Sequence, residues 1–150
     1  MTDYIKTMRW YVGHRPIMQV GANVVIVRED GAMLLQRRSD NGLWGYHGGS
    51  VELGEDTRDA AKRELFEETA LTAEDLELHG VYSGKDTFYR YPNGDEVFNV
   101  DILYVCRRWS GEPSPQKGEV EELRWFAPQD LPPDEMISPP NRGFFREIRR

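Results

Sequence analysis

The sequence predicts an α/β protein in which a mixed β-sheet is covered by helices on both faces. Two turn sequences, Asp30-Gly31 and Asn93-Gly94, each lie between runs of strand-forming residues and indicate β-hairpins. Residues 57–69 contain neither Pro nor Gly and are rich in helix-forming residues. A second helix is expected near the C-terminus. Helices separated by strands of mixed direction favour a sheet that is packed on both faces.

The elements are expected in the following order. Residues 23–27 and 33–36 form the first hairpin, and residues 44–47 form a short strand that runs into a glycine-rich loop. The helix of residues 57–69 follows, and residues 76–82 form the next strand. Residues 88–91 and 97–106 form the second hairpin, and residues 123–126 form the last strand. Asn141 is expected to cap the C-terminal helix, which carries Phe144 and Phe145. A chain of 150 residues is expected to form one domain, residues 1–150, around a single core.

The helix predicted over residues 57–69 carries three carboxylates on one face. Glu64 and Glu67 are three residues apart, and Glu64 and Glu68 are four apart. Like charges at these spacings destabilise a helix by about 0.2–0.5 kcal/mol per pair. A bound Mg²⁺ or Mn²⁺ would reverse the sign of that contribution, because hard cations prefer oxygen ligands. The opposite, apolar stripe comprises Ala60, Ala61 and Leu65.

Two features separate this helix from an ordinary solvated acidic surface, which is the alternative interpretation. Arg63 lies among the acids and is expected to pair with Glu67 on the next turn. A glycine-punctuated loop, residues 48–55, precedes the helix, and its backbone can approach a ligand closely. Together, the loop and the acidic helix indicate a metal site.

Residues 49–71 resemble the signature box of the Nudix hydrolases, metal-dependent pyrophosphatases that act on nucleoside diphosphates linked to another group. Ala70 stands where the family usually has Gly, and His47 stands where a Pro often precedes the two glycines. The resemblance implies an α-β-α sandwich with a mixed sheet, and the usual domain size would cover nearly the whole chain. The positions that match the box are Gly49, Glu55, Arg63, Glu64, Leu65, Glu67, Glu68 and Leu71.

The resemblance also implies roles for the residues of the box. Glu67 and Glu68 are metal ligands, and Glu64 is a ligand or the catalytic base. The backbone carbonyl of Gly49 is a further ligand, and Arg63 orients the carboxylates. Glu52 can lie near the same site.

The family often uses one more acid outside the box, in a loop before a late strand. Glu119 is expected to be this acid, as a metal ligand or as the base, because of its spacing to Trp125. The alternative interpretation is an acidic surface loop formed by residues 118–122.

Substrate contacts are predicted from residues around the glycine loop. Arg37 and Arg38 follow the strand predicted over residues 33–36 and precede the glycine loop. The guanidinium group of arginine is well suited to binding phosphate oxygens. His47 and Gly48 complete the predicted substrate-binding set. The aromatic residues Phe88, Tyr89 and Tyr91 could stack on a base, although alternate aromatic residues in a strand are more often core or sheet surface.

Charge and cysteine content narrow the functional class. The net charge of −7 argues against a general binder of nucleic acid polymers or membranes. The single cysteine, Cys106, excludes an internal disulfide and is expected to be an inert buried thiol. Neither a signal peptide nor a membrane-spanning run is visible, so a cytoplasmic location is expected.

These observations predict a hydrolase that uses Mg²⁺ or Mn²⁺ to cleave the diphosphate linkage of a nucleoside diphosphate derivative. Water would attack phosphorus, and either Glu64 or Glu119 would take its proton. The alternative is a non-catalytic, Nudix-like module that senses a nucleotide, although such a module would be expected to lose the box carboxylates. ADP-ribose, a nucleotide sugar, a dinucleoside polyphosphate and an oxidised nucleoside triphosphate are all compatible substrates. Homodimerisation is left open.

Overall fold

The computed structural model describes residues 3–150. Three α-helices lie within this range: α1 (Tyr4–Val12), α2 (Thr57–Thr69) and α3 (Arg142–Ile148). The strands are β1 (Ile17–Val27), β2 (Met33–Arg38), β3 (Trp44–Gly45), β4 (His47–Ser50), β5 (Thr72–Ala73), β6 (Glu77–Tyr82), β7 (Phe88–Arg90), β8 (Glu96–Cys106), β9 (Trp109–Ser110) and β10 (Val120–Phe126).

Eight of the strands form one mixed sheet. Its central path runs β10-β2-β1-β8-β6, while β3 joins β2, β4 joins β1 and β7 joins β8. The long strands β1 and β8 are parallel over ten residue pairs, and the other pairings in this sheet are antiparallel. The short strands β5 and β9 form a separate two-stranded sheet.

Alternate residues of β1 face two separate hydrophobic cores. Ala22, Val24 and Ile26 pack with the apolar stripe of α2. Val25 and Val27 face the opposite way and pack with residues of α3. Since successive side chains of a strand point to opposite faces, this alternation places one helix on each side of the sheet. The predicted α/β sandwich with a mixed sheet is thus confirmed.

The predictions of individual elements agree best with the structure at turns and at helix ends that contain residues typical of those positions. Both hairpins form, with β1 antiparallel to β2 and β7 antiparallel to β8. Helix α2 covers the predicted residues 57–69, and the side chain of Asp56 caps its start by accepting a hydrogen bond from Arg58 N. The thiol of Cys106 is buried as predicted, and burial raises its pKa to about 11.

Three predictions about the elements are wrong. The glycine-rich segment was expected to be a loop, but Gly48 and Gly49 lie within strand β4. The last strand was expected to begin at residue 123, but it begins at Val120, so the acidic loop ends at Glu119. The side chain of Asn141 makes no capping bond to α3 and instead accepts a hydrogen bond from Tyr46 N.

Helix α1 was not predicted, although the sequence carries both of its end signals. The side chain of Asp3 accepts a hydrogen bond from Lys6 N at the start of the helix, and Gly13 ends it with a positive φ of 65°. Both residue types are typical of helix ends, and this pair of signals could have located the helix.

Candidate active site

Strand β4 and helix α2 bring the glycines and carboxylates of the box together on one side of the sheet. Gly48 and Gly49 pair with Asn23 and Ala22 of β1. The carboxylate of Glu64 lies directly against Gly49, since a Cβ atom on Gly49 would be only 2.5 Å from the Glu64 carboxyl carbon. A side chain at position 49 would therefore displace this carboxylate.

Arg63 is the central cation of the site. Its Nε donates to Glu55 Oε2 at 2.8 Å, and its Nη1 donates to Glu64 Oε1 at 2.8 Å. Nη1 also lies 3.6 Å from Glu67 Oε1, which confirms the predicted pair between residues 63 and 67. The guanidinium lowers the pKa of Glu55 and opposes the rise in the pKa of Glu64 that burial causes. Arg63 thus holds two of the carboxylates in fixed orientations.

Glu68 is held in a different way, by neutral hydrogen-bond donors from the sheet. Gly48 N donates to Glu68 Oε1 at 2.7 Å, and Gln36 Nε2 donates to Glu68 Oε2 at 3.1 Å. Burial raises the pKa of Glu68 to about 8. A buried carboxyl group in this state gains most from a nearby cation, because a cation offsets the cost of ionising it.

His47 supports Gln36 and does not face the substrate side. The ring is fully buried, with Nδ1 2.7 Å from Gln36 Oε1 and Nε2 2.9 Å from the Leu34 carbonyl oxygen. Burial lowers the pKa of His47 to about 4, so the ring is neutral at neutral pH. The predicted substrate contact by His47 is therefore wrong. A hydrogen-bonded histidine in this enclosed position orients its neighbour.

Glu64 and Glu67 line a cavity of about 380 Å³ next to α2, whereas Glu68 is not among its lining residues. Among residues 3–150, no three His, Cys, Asp or Glu side chains are gathered as a ready-made metal cluster. The reason is visible in their partners: Glu64 is drawn to Arg63, Glu68 is drawn to the sheet, and the Glu67 side chain is 43% exposed. The donor set nevertheless fits a hard divalent cation, since it consists of carboxylates around a glycine strand. The lining residues are Asp3, Ile5, Ser50, Glu52, Arg63, Glu64 and Glu67.

The start of α1 borders this cavity. The backbone N–H of Tyr4 donates to Glu52 Oε2 at 2.9 Å, and Asp3 lines the same space. Glu52 thus lies near the site, as the resemblance implied, but it satisfies a helix N–H group that has no partner within its own helix.

The two predicted phosphate-binding arginines are both engaged by acids. Arg38 donates two hydrogen bonds to Asp40, at 2.9 and 2.7 Å. Arg37 lies 3.4 Å from Glu121 and from Glu122. Contact of either arginine with phosphate stays a prediction, and it would require these ion pairs to be exchanged.

Glu119 lies just before β10, at the predicted junction of loop and strand. Its side chain is exposed and makes no hydrogen bond or ion pair with another of the residues from 3 to 150. The segment before it is fixed to the end of α2, since Gln116 N donates to the Glu68 carbonyl oxygen at 3.1 Å. This contact brings the loop to the box helix, and the role of Glu119 stays a prediction.

A second, smaller cavity of about 90 Å³ lies on the opposite side of β4. Tyr89 and Tyr91 line it and pack edge to face with ring centroids 4.8 Å apart, whereas Phe88 packs against Phe98. Its polar residues Asn23 and Asp101 were missed in the sequence, because nothing local shows that β1 and β8 are neighbours. Gln36 was missed because nothing local shows that β2 packs beside Glu68 of α2.

The fold and the site define a Nudix-type protein. A family model described as the NUDIX domain matches residues 18–148, so the chain belongs to the Nudix hydrolase family. Members of this family are enzymes that act on phosphoric anhydride bonds of nucleotide derivatives.

Individual relatives agree with this assignment. The chain is 46% identical over 116 residues to a MutT-like protein from Streptomyces ambofaciens, covering 77% of this chain and 68% of that protein. It is 31% identical to a putative 8-oxo-dGTP diphosphatase from Bacillus subtilis, covering 81% and 73% of the two chains. The crystal structure of a MutT NUDIX hydrolase from Burkholderia pseudomallei superposes with a TM-score of 0.73 at 31% identity, covering 88% of this chain and 98% of that one.

None of the helices within residues 3–150 has the length and apolar character that a bilayer crossing requires.

Proposed function

We propose that this chain is a hydrolase dependent on Mg²⁺ or Mn²⁺ that cleaves the diphosphate linkage of a nucleoside diphosphate derivative, with residues 1–150 acting as one catalytic domain. One observation carries the proposal: helix α2 places Glu64 and Glu68 against the glycine strand and Glu67 beside Arg63, which also orients Glu64. Such a set of carboxylates is costly to keep together unless a cation is its partner.

Each residue of the site has a separate role in the proposed reaction. Glu67 and Glu68 hold the cation, with Glu64 and the Gly49 carbonyl as further ligands. The cation, when bound, would neutralise charge on the diphosphate and make water a better nucleophile. Arg63 keeps Glu64 in place, and Glu64 or Glu119 takes the proton of the attacking water, a step typically worth roughly 10²–10⁴-fold in rate.

The substrate class is inferred from the chemistry of the site and from relatives. Relatives include a putative 8-oxo-dGTP diphosphatase and an ADP-ribose pyrophosphatase from Methanocaldococcus jannaschii, which is 34% identical over 110 residues. An oxidised nucleoside triphosphate and ADP-ribose are therefore the first compounds to test, followed by a dinucleoside polyphosphate and a nucleotide sugar.

The test is turnover of this panel with Mg²⁺, with Mn²⁺ and with chelator, followed by release of phosphate or pyrophosphate. Glu68→Gln keeps the shape of the side chain and removes its charge, so turnover should fall at least about 10²-fold. Glu29→Gln makes the same change in the exposed first hairpin and should leave turnover unchanged. Tight binding of a nucleotide without metal-dependent turnover would instead identify a sensing module.

A further inference from the structure

A buried glutamine amide lies between the ring of His47 and a carboxylate of the proposed metal site. His47 is fully buried, and Gln36 is 4% exposed. Gln36 Oε1 lies 2.7 Å from His47 Nδ1, and Gln36 Nε2 lies 3.1 Å from Glu68 Oε2. One amide group therefore contacts both neighbours, and its two ends differ chemically, because the oxygen accepts hydrogen bonds and the nitrogen donates them.

The arrangement of the strands explains why these side chains meet. Strands β1 and β2 pair with each other at residues 26–27 and 33–34. Further along, β3 pairs with β2 and β4 pairs with β1, so residues 44–50 lie between the two strands. His47 lies at the start of β4, and its ring contacts the Leu34 carbonyl oxygen and the Gln36 side chain of β2. The ring thus fills the junction of β2 and β4, next to the helix that carries Glu68.

The position of the ring hydrogen decides which end of the Gln36 amide faces Glu68. In a neutral imidazole one nitrogen carries a hydrogen and the other accepts. Two oxygen atoms face the ring, Gln36 Oε1 at Nδ1 and the Leu34 carbonyl oxygen 2.9 Å from Nε2. With the hydrogen on Nδ1, the ring donates to Oε1, and the amide nitrogen faces Glu68. With the hydrogen on Nε2, the ring donates to Leu34, and Nδ1 would take the amide N–H, which turns the amide oxygen towards Glu68.

Glu68 needs the nitrogen of this amide when it acts as a metal ligand. A carboxylate that holds a cation is ionised and can only accept hydrogen bonds. An N–H group at Glu68 Oε2 stabilises it, whereas an amide oxygen in the same place repels it. Gly48 N, the other donor to Glu68, belongs to the backbone of β4 and has a fixed direction. The Gln36 amide is the adjustable partner, and His47 controls its direction.

We propose that His47 is a positioning residue of the metal site. Its Nδ1–H donates to Gln36 Oε1 and thereby directs the amide N–H of Gln36 to Glu68, and a cation bound by Glu68 favours this tautomer of the ring. The inference rests on the proposed function, because it takes Glu68 to be a metal ligand. It gives a role to position 47, where the family often has a proline, whose side chain forms no hydrogen bond.

The first test locates the ring hydrogen in the wild-type protein. Ring nitrogens with and without a hydrogen differ in ¹⁵N chemical shift, so ¹⁵N–¹H correlation spectra of the histidine rings are recorded with saturating Mg²⁺ and with chelator. With Mg²⁺, Nδ1 of His47 should carry a hydrogen. The exposed ring of His14 is the control, and its signals should be the same in both conditions.

The second test uses two substitutions of similar size. His47→Asn keeps an amide N–H close to the position of Nδ1, whereas His47→Leu removes every hydrogen-bonding group and leaves a similar void. Mg²⁺ dissociation constants are measured by calorimetry without nucleotide, and the circular dichroism spectrum is the control for folding. His47→Leu should weaken Mg²⁺ binding roughly tenfold. His47→Asn should bind Mg²⁺ more tightly than His47→Leu, because it retains a donor to Gln36.

A double-mutant cycle with Gln36→Met shows whether the ring acts through the amide. The Gln36→Met protein has no amide to orient, so adding His47→Leu to it should change the Mg²⁺ dissociation constant by less than about twofold. A general structural role of His47 would instead produce the same loss of affinity with and without Gln36.

The results separate this inference from the proposed function. A His47 Nδ1 without a hydrogen in the Mg²⁺-bound protein overturns the inference, whether or not the variants fold. Equal losses of affinity in His47→Leu and His47→Asn overturn it as well, and so does a loss in His47→Leu that is independent of Gln36. Metal-dependent nucleotide turnover together with any of these results leaves the proposed function intact. A wild-type protein that neither binds Mg²⁺ at millimolar concentrations nor turns over nucleotides contradicts both.

Discussion

At the scale of residues, the site combines side chains that sequence could find with others that it could not. Glu64, Glu67 and Glu68 could be placed on one face because helical spacing is local. Gln36 could not be predicted as their partner, because its contact with Glu68 depends on how β2 packs beside α2. His47 was wrongly expected at the substrate for a related reason, since its burial depends on packing beneath β4.

Gln36 should strengthen metal binding through Glu68. Gln36→Met keeps the length of the side chain and removes the donor to Glu68 Oε2, so this carboxylate loses one of its two sheet contacts. Loss of a residue that orients a ligand typically weakens metal affinity roughly 10–100-fold. The measurement is a Mg²⁺ titration of activity together with the metal-induced shift in melting temperature.

Gln129→Met is the matched control, because Gln129 is exposed and far from the box in sequence. If Gln36→Met and Gln129→Met require the same Mg²⁺ concentration for half-maximal activity, Gln36 does not position Glu68.

At the scale of elements, prediction succeeded where neighbouring residues alone determine a turn or a helix end. The Asp30-Gly31 and Asn93-Gly94 hairpins and the start of α2 at Asp56 are of this kind. It failed for β4, because glycines that usually indicate a loop are required here for close approach to β1. A Cβ atom on Gly48 would overlap the Asn23 side chain and the Ala22 carbonyl. Only the pairing of distant strands reveals that requirement.

The end of α2 offers a test of local strain. Ala70 has φ 65°, and among residues 3–150 it is the only residue other than glycine with a positive φ. Ala70→Gly removes the contact between Cβ and the carbonyl oxygen that disfavours this conformation, and it should stabilise the protein by about 0.5–1 kcal/mol. The expected rise in melting temperature by calorimetry is about 1–4 °C.

Ala127 has φ −64°, an ordinary value, so Ala127→Gly should not raise the melting temperature. A fall in melting temperature for Ala70→Gly would mean that the added freedom of the unfolded chain outweighs the strain that is removed.

At the scale of the whole molecule, the buried Glu68 carboxyl group makes the free energy of unfolding depend on pH and on bound metal. The chain carries a net charge of −7, and the pKa of Glu68 is about 8 in the folded protein against an ordinary value of 4.5. Between about pH 4.5 and 8 the folded state keeps a proton that the unfolded state has lost. The native state therefore binds more protons than the unfolded state in this window, and stability falls as pH rises through it.

Mg²⁺ should therefore stabilise the protein more at pH 8 than at pH 5. The cation requires ionised carboxylates, and at 100 times its Kd a ligand specific for the native state adds about 2.7 kcal/mol. Melting curves at pH 5 and pH 8, with millimolar Mg²⁺ and with chelator, give the comparison. In Glu68→Gln both the fall in stability without metal and the gain with Mg²⁺ should be smaller, whereas Glu29→Gln should match the wild type. A Mg²⁺ effect of equal size in all three proteins would show that the cation binds away from Glu68.

The alternation along β1 has an evolutionary consequence. Ala22, Val24 and Ile26 support the helix that carries the box, while Gly21 and Asn23 face the smaller cavity with Asp101. Mutations at the second set can therefore change the smaller cavity while the residues that support the box helix stay unchanged. Duplicated copies of such a gene could diverge in the shape of this cavity through substitutions at a few positions on one face of a single strand.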